Sequence, residues 1–255
     1  MSTLNLGELL YRLGEKSERL FSALLSIIRS IITPKAIQRV PNFPLSTRLV
    51  MKKGYTIHEV ISLHLQLSFL AYLGVNAVAI FLPNSFFTVL VLGLIYLLYL
   101  RWIFGSYGHY LVDPKQYVFF YGGVSTLAFL SFLGFVFLRE RKAELRYYYI
   151  YVSIITIIIL LFRWYFKHAF GRDYTYGVVE EVKKDLLRVF VHDDIGANVK
   201  PGYYWVPAVP DAEPGRIVKL LVEERFMRSS VPVRVLEVYL DQSSQTDTEP
   251  KAEAE

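Results

Sequence analysis

The chain contains no cysteine, which removes disulfides, thiolate metal sites and cysteine nucleophiles from consideration. Methionine is scarce, at 3 of 255 residues, beside abundant Tyr, Ile, Lys, Arg and Glu, a balance that leans towards a thermophilic source. The N-terminus lacks an apolar core followed by a small-residue cleavage site, so no cleavable signal is expected. No nucleotide, metal or catalytic motif stands out, and neither a cofactor nor a catalytic residue is assigned. Soluble sequence is itself missing between Thr56 and Phe166.

In that stretch four apolar segments follow one another: Ile57 to Leu82, Ser85 to Phe104, Pro114 to Leu138 and Tyr147 to Phe166. Each is near the roughly 20 residues needed to cross about 30 Å of hydrocarbon. Four such runs in tandem, with almost no charge, would leave a soluble fold without polar faces, so the segments are read as transmembrane helices. The hydrophobic share of 53% and the mean hydropathy of +0.33 agree.

Helix-end chemistry supports the count. Thr56 followed by Glu59 is a capping box, Pro83 and Asn84 make a tight turn with Ser85 expected as the next N-cap, and Asp113 before Pro114 starts the third span. A faint repeat relates Leu67–Leu70 to Leu130–Leu133, and Arg101 with Trp102 to Arg163 with Trp164. Duplication of a helical hairpin and chance recurrence in apolar sequence both remain open readings.

Before the spans, residues 1–33 place Leu6, Leu10, Leu13, Leu20, Leu24, Ile27 and Ile31 on one helical stripe, with charges on the other sides. The wide apolar face suits an amphipathic helix lying in the membrane interface, while the heptad spacing also fits a coiled coil with a second copy. Residues 34–55 form a basic linker, with Lys35, Arg39, Arg48, Lys52 and Lys53 available to anionic headgroups. The net charge of +5 concentrates at such flanks and is a topology signal rather than a nucleic-acid signature.

Polar groups near the bilayer supply the lipid- or anion-binding candidates: His58, Glu59, Arg101, His109 and Arg163. Arg101 and Arg163, each followed by Trp, read first as interfacial anchors, with a phosphorylated headgroup site as the alternative. His58 and His64 are six residues apart and so on different faces, not the four-residue spacing of a shared zinc site. A helix-to-helix hydrogen bond is expected for His64, and headgroup water for His58. No acidic residue lies deep in a span and no span is broken by paired Gly and Pro, which counts against a transporter.

After Phe170 the period becomes alternating, and Val178–Val182, Leu186–His192, Tyr203–Val206, Arg216–Phe226 and Val231–Leu240 read as five strands. Residues 171–241 thus predict a small β-barrel of the OB or SH3-like kind. Tyr203, Tyr204, Trp205, Arg225 and Arg228 are its candidate partner or ligand surface. From Arg172 to Asp241, however, twelve Asp and Glu face ten Lys and Arg, so nucleic acid is not the expected partner. Residues 242–255 are polar and acidic without core formers, as in a disordered tail.

In layout, spans followed by a small β-barrel resemble the NfeD group of membrane proteins. The run from Thr56 through Arg101 and Asp113 into the β module resembles an uncharacterised archaeal family of predicted membrane proteins, a resemblance that implies membrane residence and no activity. The expected whole is a four-helix transmembrane domain over residues 56–170, multi-pass in the cell membrane, with both termini cytoplasmic. The role it suggests is a non-enzymatic anchor or scaffold, with a protein partner or a second copy meeting the N-terminal helix or the bundle. A membrane enzyme or lipid-handling protein and a membrane-tethered nucleic-acid or ribosome-binding module are the alternatives.

Overall fold

The structure, a computed structural model, describes residues 15, 19, 22, 36–37, 41–50, 56–225 and 228–239. The N-terminal amphipathic helix lies outside these apart from Glu15, Arg19 and Ser22, as do most of the basic linker and the whole of the 242–255 tail. The chain divides into two compact units, Met1–Thr156 and Ile157–Glu255.

The first unit holds helices α1 (Pro44–Val50), α2 (Ile57–Ala79), α3 (Ser85–Tyr107) and α4 (Pro114–Glu140), a 3-10 turn at Gly108–Tyr110, and the start of α5 (Leu145–Phe170). The four long helices are long and apolar enough to cross a membrane, where the sequence places its spans. Glu59 accepts hydrogen bonds from the Thr56 amide, at 2.9 Å, and from the Thr56 hydroxyl, completing the capping box at the head of α2. Asp113 occupies the N-cap of α4 with Pro114 at the first helical position.

The turn between α2 and α3 differs from expectation by a few residues. α2 stops at Ala79, and Phe81 and Leu82 donate to the carbonyls of Val78 and Ala79, tightening the end ahead of Pro83. Asn84, at φ 55°, takes the N-cap position expected of Ser85, which frees the Ser85 hydroxyl. Arg139, reaching across from α4, donates to that hydroxyl at 2.7 Å and to the Ile80 carbonyl. One guanidinium thus satisfies a helix-end carbonyl that has no partner of its own.

Close helix approach depends on small residues, as is usual in membranes. Gly93 of α3 lies under the Phe129 ring of α4, where a Cβ would come within 2.0 Å of Cδ2. Beside it Ala79, Val89 and Val136 form a buried apolar cluster. Tyr72 and Tyr96 stack between α2 and α3 with centroids 4.3 Å apart. The first half of α5 meets α4 through Tyr148 on Phe135 and through the Tyr151 hydroxyl, which donates to the Ser131 carbonyl. The apolar window of α5 buries none of its residues, whereas a third of the α2 window is buried.

In the second unit, β1 (Tyr174–Lys183), β2 (Leu186–Val191), β3 (Gly202–Pro207), β4 (Ile217–Glu223) and β5 (Val231–Tyr239) form one antiparallel sheet in the order β3-β2-β1-β4-β5. Three hairpin-connected strands with a fourth returning beside the first make a Greek key. The sheet curls into a half-barrel and does not close, although Val199 bridges to Asp194 and to Ser230 at the start of β5. β1 begins four residues before its expected start, because Gly177 interrupts the apolar alternation there. That glycine is a packing requirement: a Cβ would meet Val189 Cγ1 at 2.5 Å and the Phe190 carbonyl at 2.8 Å. A register shift between Val179 and Glu181 bends β1, so that its first half pairs β4 and its second half β2. The concave side packs Val179, Leu187, Val189, Val206, Val218 and Leu220. Gly215, at φ 89°, makes the turn into β4 that a side chain would strain.

Candidate functional site

Of the lipid- or anion-binding candidates, His58, Glu59, Arg101 and His109 belong to the first unit and Arg163 to the second. His58 is 4% exposed and Glu59 3% exposed. Within the first unit, the His58 ring lies between the Val112 amide, 3.2 Å from Nδ1, and the Tyr117 hydroxyl, 3.3 Å from Nε2. The headgroup water expected for His58 is therefore replaced by protein partners on the α3–α4 connection and α4, and Glu59 is occupied by the cap. His109 is exposed, its ring 4.1 Å from that of Tyr110. Arg163 is exposed and belongs to the other unit, where its neighbour Trp164 stacks on His168 with centroids 5.8 Å apart.

Arg101 lines a cleft of about 520 Å³ between α3 and α4, whose other walls include Leu97, Phe104, Val118 and Gly122. Gly122 leaves space there, with nothing within 4 Å of where its Cβ would stand. An apolar groove with a guanidinium on its wall has the chemistry of an acyl chain and an acidic headgroup.

His64 makes the helix-to-helix bond expected of it. Its Nε2 pairs with the Tyr99 hydroxyl of α3, and its Nδ1 lies 3.2 Å from Ser46 Oγ on α1. Phe43 stacks on the same ring at 3.8 Å and meets Tyr107 edge-on, while Tyr99 stacks on Trp102. Phe43 and α1, which the sequence suggests are part of a plain linker, thus pack onto the aromatic end of the bundle.

On the half-barrel, alternation along β3 separates the three expected aromatics. Tyr203 and Trp205 point outward, 47% and 46% exposed, whereas Tyr204 packs on the core and donates its hydroxyl to the Lys200 carbonyl at 2.8 Å. Arg225 and Arg228 are exposed near the β4–β5 turn, where Asn198 Nδ2 donates to the Arg228 carbonyl at 3.1 Å. The cations actually placed on the aromatics are others: Arg188 lies 5.2 Å from the Tyr203 ring centre and Lys183 5.4 Å from that of Trp205. Cross-strand register does this, since Arg188 pairs with Trp205 and Phe190 with Tyr203. Sequence spacing carries no sign of it, because the β2–β3 register is set by a ten-residue connection.

Elsewhere in the unit polar contacts are structural. Asp194, buried, takes Arg172 at 2.9 Å, the Thr175 hydroxyl at 2.7 Å and the Ala197 amide at 3.0 Å, pinning the β2–β3 connection. On the surface Lys219 and Glu237 pair at 3.1 Å across β4 and β5, which raises the lysine pKa and lowers that of the carboxyl through their mutual hydrogen bond. Among the described residues no group of three or more His, Asp or Glu is placed to hold a metal ion.

No curated protein and no solved structure matches the chain. A family model described as a predicted membrane protein, DUF2101, matches residues 28–236, and the chain belongs to that family.

Proposed function

Because the matched span takes in both the membrane helices and the half-barrel, we propose that the two units work together as a non-enzymatic, multi-pass anchor that presents a β half-barrel to a protein partner. The observation that carries this reading is the outward face of β1, β2 and β3. There Leu186, Tyr203 and Trp205 stand exposed together, with Lys183 and Arg188 laid over the rings and Glu180 and Glu181 paired to Arg188. Exposed aromatics braced by cations are the composition of an interaction hot spot, and a nearly charge-balanced surround favours protein over nucleic acid. The bundle, by contrast, uses His58 and His64 on its own side chains. Replacing Tyr203 and Trp205 together by Ser should abolish co-purification of a stoichiometric protein in mild detergent while membrane insertion stays intact. Unchanged recovery of such a partner would sink the assignment of this face.

A second reading rests on the Arg101 cleft, which would seat an anionic lipid. Under it, a single phospholipid would be enriched on purification and lost when Arg101 is replaced.

Both termini face the cytoplasm in this proposal, supported by the absence of Lys and Arg from the Pro83 turn and by Lys167 and Arg172 after the last span. The basic residues of the third loop oppose it. Arg139 is engaged with Ile80 and Ser85, and Arg146 pairs with Glu144 at 2.9 Å, which weakens that opposition. Since the chain has no cysteine of its own, single cysteines at Ser2 and Ser244 report cleanly. They should resist an impermeant thiol reagent in intact cells, and labelling of either from outside would overturn the orientation.

A further inference from the structure

The half-barrel follows the last span almost without a break. Only Gly171, Arg172 and Asp173 separate the end of α5 from Tyr174, the first residue of β1, so that strand starts within about 14 Å of Phe170. Two contacts stiffen the joint: the Arg172 amide donates to the Gly196 carbonyl at 3.4 Å, and the Arg172 guanidinium holds Asp194 at 2.9 Å. Depth in the bilayer is marked by the last turns of α5. There Trp164 is exposed and stacked on His168, with Arg163 and Lys167 exposed beside it, and an indole among cations is the composition of the headgroup layer.

Sheet register carries that depth to a second place in the same unit. Tyr174 pairs with Leu221, and the Val222 amide donates to the Asp173 carbonyl at 2.8 Å, so β4 ends beside the strand that leaves the membrane. Glu224, the first residue past β4, is ion-paired at 2.7 Å with Lys167 in the last turn of the span. An exposed pair adds little stability, but it places the β4–β5 turn level with the end of α5. This turn is basic. Glu224 is neutralised by Lys167, whereas Arg225 and Arg228 are exposed and neither guanidinium is engaged by another described side chain. Their backbone is held in place. The Arg228 amide donates to the Arg225 carbonyl at 3.3 Å, the Arg228 carbonyl accepts from Asn198 Nδ2 at 3.1 Å, and the Ser230 amide donates to the Asn198 carbonyl at 2.8 Å.

We propose that Arg225 and Arg228 form an anionic-lipid site through which the β4–β5 turn docks on the headgroup layer beside the last span. Guanidinium forks match phosphate oxygens bidentately, and cations at a membrane surface collect acidic phospholipids. The ligand is a bilayer lipid rather than soluble phosphate, because Lys167 and the sheet register hold the turn at the depth of the lipid phosphates. The site shares no residue with the Tyr203 and Trp205 face.

A nitroxide on Ser229→Cys, the one thiol in a chain without cysteine, tests this. With the full chain in nanodiscs, collisions of the label with a neutral nickel chelate dissolved in the water measure how far headgroups cover the turn. Collisions should be several-fold rarer in discs of phosphatidylglycerol than in discs of phosphatidylcholine. The difference should vanish in the Arg225→Gln, Arg228→Gln double variant and in molar salt, which shortens the screening length to about 3 Å. It should survive Lys184→Glu, which lowers the net charge equally at the opposite end of β1. The salt arm uses unaltered arginines, so it decides even if the double variant fails to fold. Equal collisions in the two lipids would overturn the proposal, as would a difference that persists without the arginines or in molar salt, or one that Lys184→Glu removes.

Discussion

The two units are built on opposite rules. In the half-barrel the buried set is apolar, with Val179, Leu187, Val189, Val191, Val206, Val218 and Leu220 among its members, and the buried polar residues among those described are Thr175, Asp194 and Ser230. In the bundle, by contrast, eight of the eleven buried polar residues of the described chain sit between the helices, among them His58, Ser62, Asn76 and Ser125, while Phe81, Leu94, Ile95 and Ile154 face outward. Water drives the first arrangement by excluding apolar surface. Lipid removes that drive, and what remains to hold helices together is close packing and the few hydrogen bonds between them. Burial therefore reports the solvent as much as it reports the fold.

The comparison is most easily broken by the same substitution made on each side. Leu220→Ala in the half-barrel should cost about 2–5 kcal/mol, since a fully buried leucine leaves a cavity. Leu160→Ala on α5 exposes nothing to water and should leave thermal unfolding in detergent unchanged. A large loss at Leu160 would mean that α5 is covered by protein. Next in size is Tyr99→Phe, which deletes the partner of His64 Nε2 and should cost about 0.6–2 kcal/mol, the range for hydrogen bonds between membrane helices. Steric trapping or detergent unfolding measures it, and no loss would show that packing alone holds α2 to α3. The smallest effect expected is from Arg101→Lys combined with Arg163→Lys. A lysine reaches the interface equally well, so expression, insertion and lipid content should not change. Loss of a copurifying anionic lipid would instead credit the guanidinium fork and promote the cleft reading.

Much of this architecture was legible because helix ends carry local chemistry. Thr56 with Glu59, and Asp113 with Pro114, mark span starts that the structure reproduces to the residue. Strand positions were legible where Val and Leu alternate, and illegible at Tyr174–Gly177, where a glycine needed for close sheet packing looks like a turn. Functional placement was harder to read. Arg139 looks like one more loop charge, and only the fold reveals the Ile80 carbonyl it serves. His64 is visible in the sequence as a polar residue inside a span, but its partners Tyr99 and Ser46 depend on where α3 and α1 pack. Likewise Lys183, paired with Leu186, and Arg188, paired with Trp205, acquire aromatic partners through cross-strand register, a non-local property.

Gly177 pairs with Val191, 14 residues on, and with Val218, 41 residues on. Closing the longer loop costs about 1 kcal/mol more in chain entropy than closing the shorter one. The β1–β2–β3 meander therefore assembles ahead of the β4 return, and the rate of acquiring the half-barrel is governed by that late, non-local closure. On the ribosome the order is enforced by synthesis: β1 emerges directly behind the last span and waits with one edge unpaired until the chain has been made through Glu223. For that interval the nascent half-barrel offers neighbouring chains a strand edge that the finished molecule covers with β4.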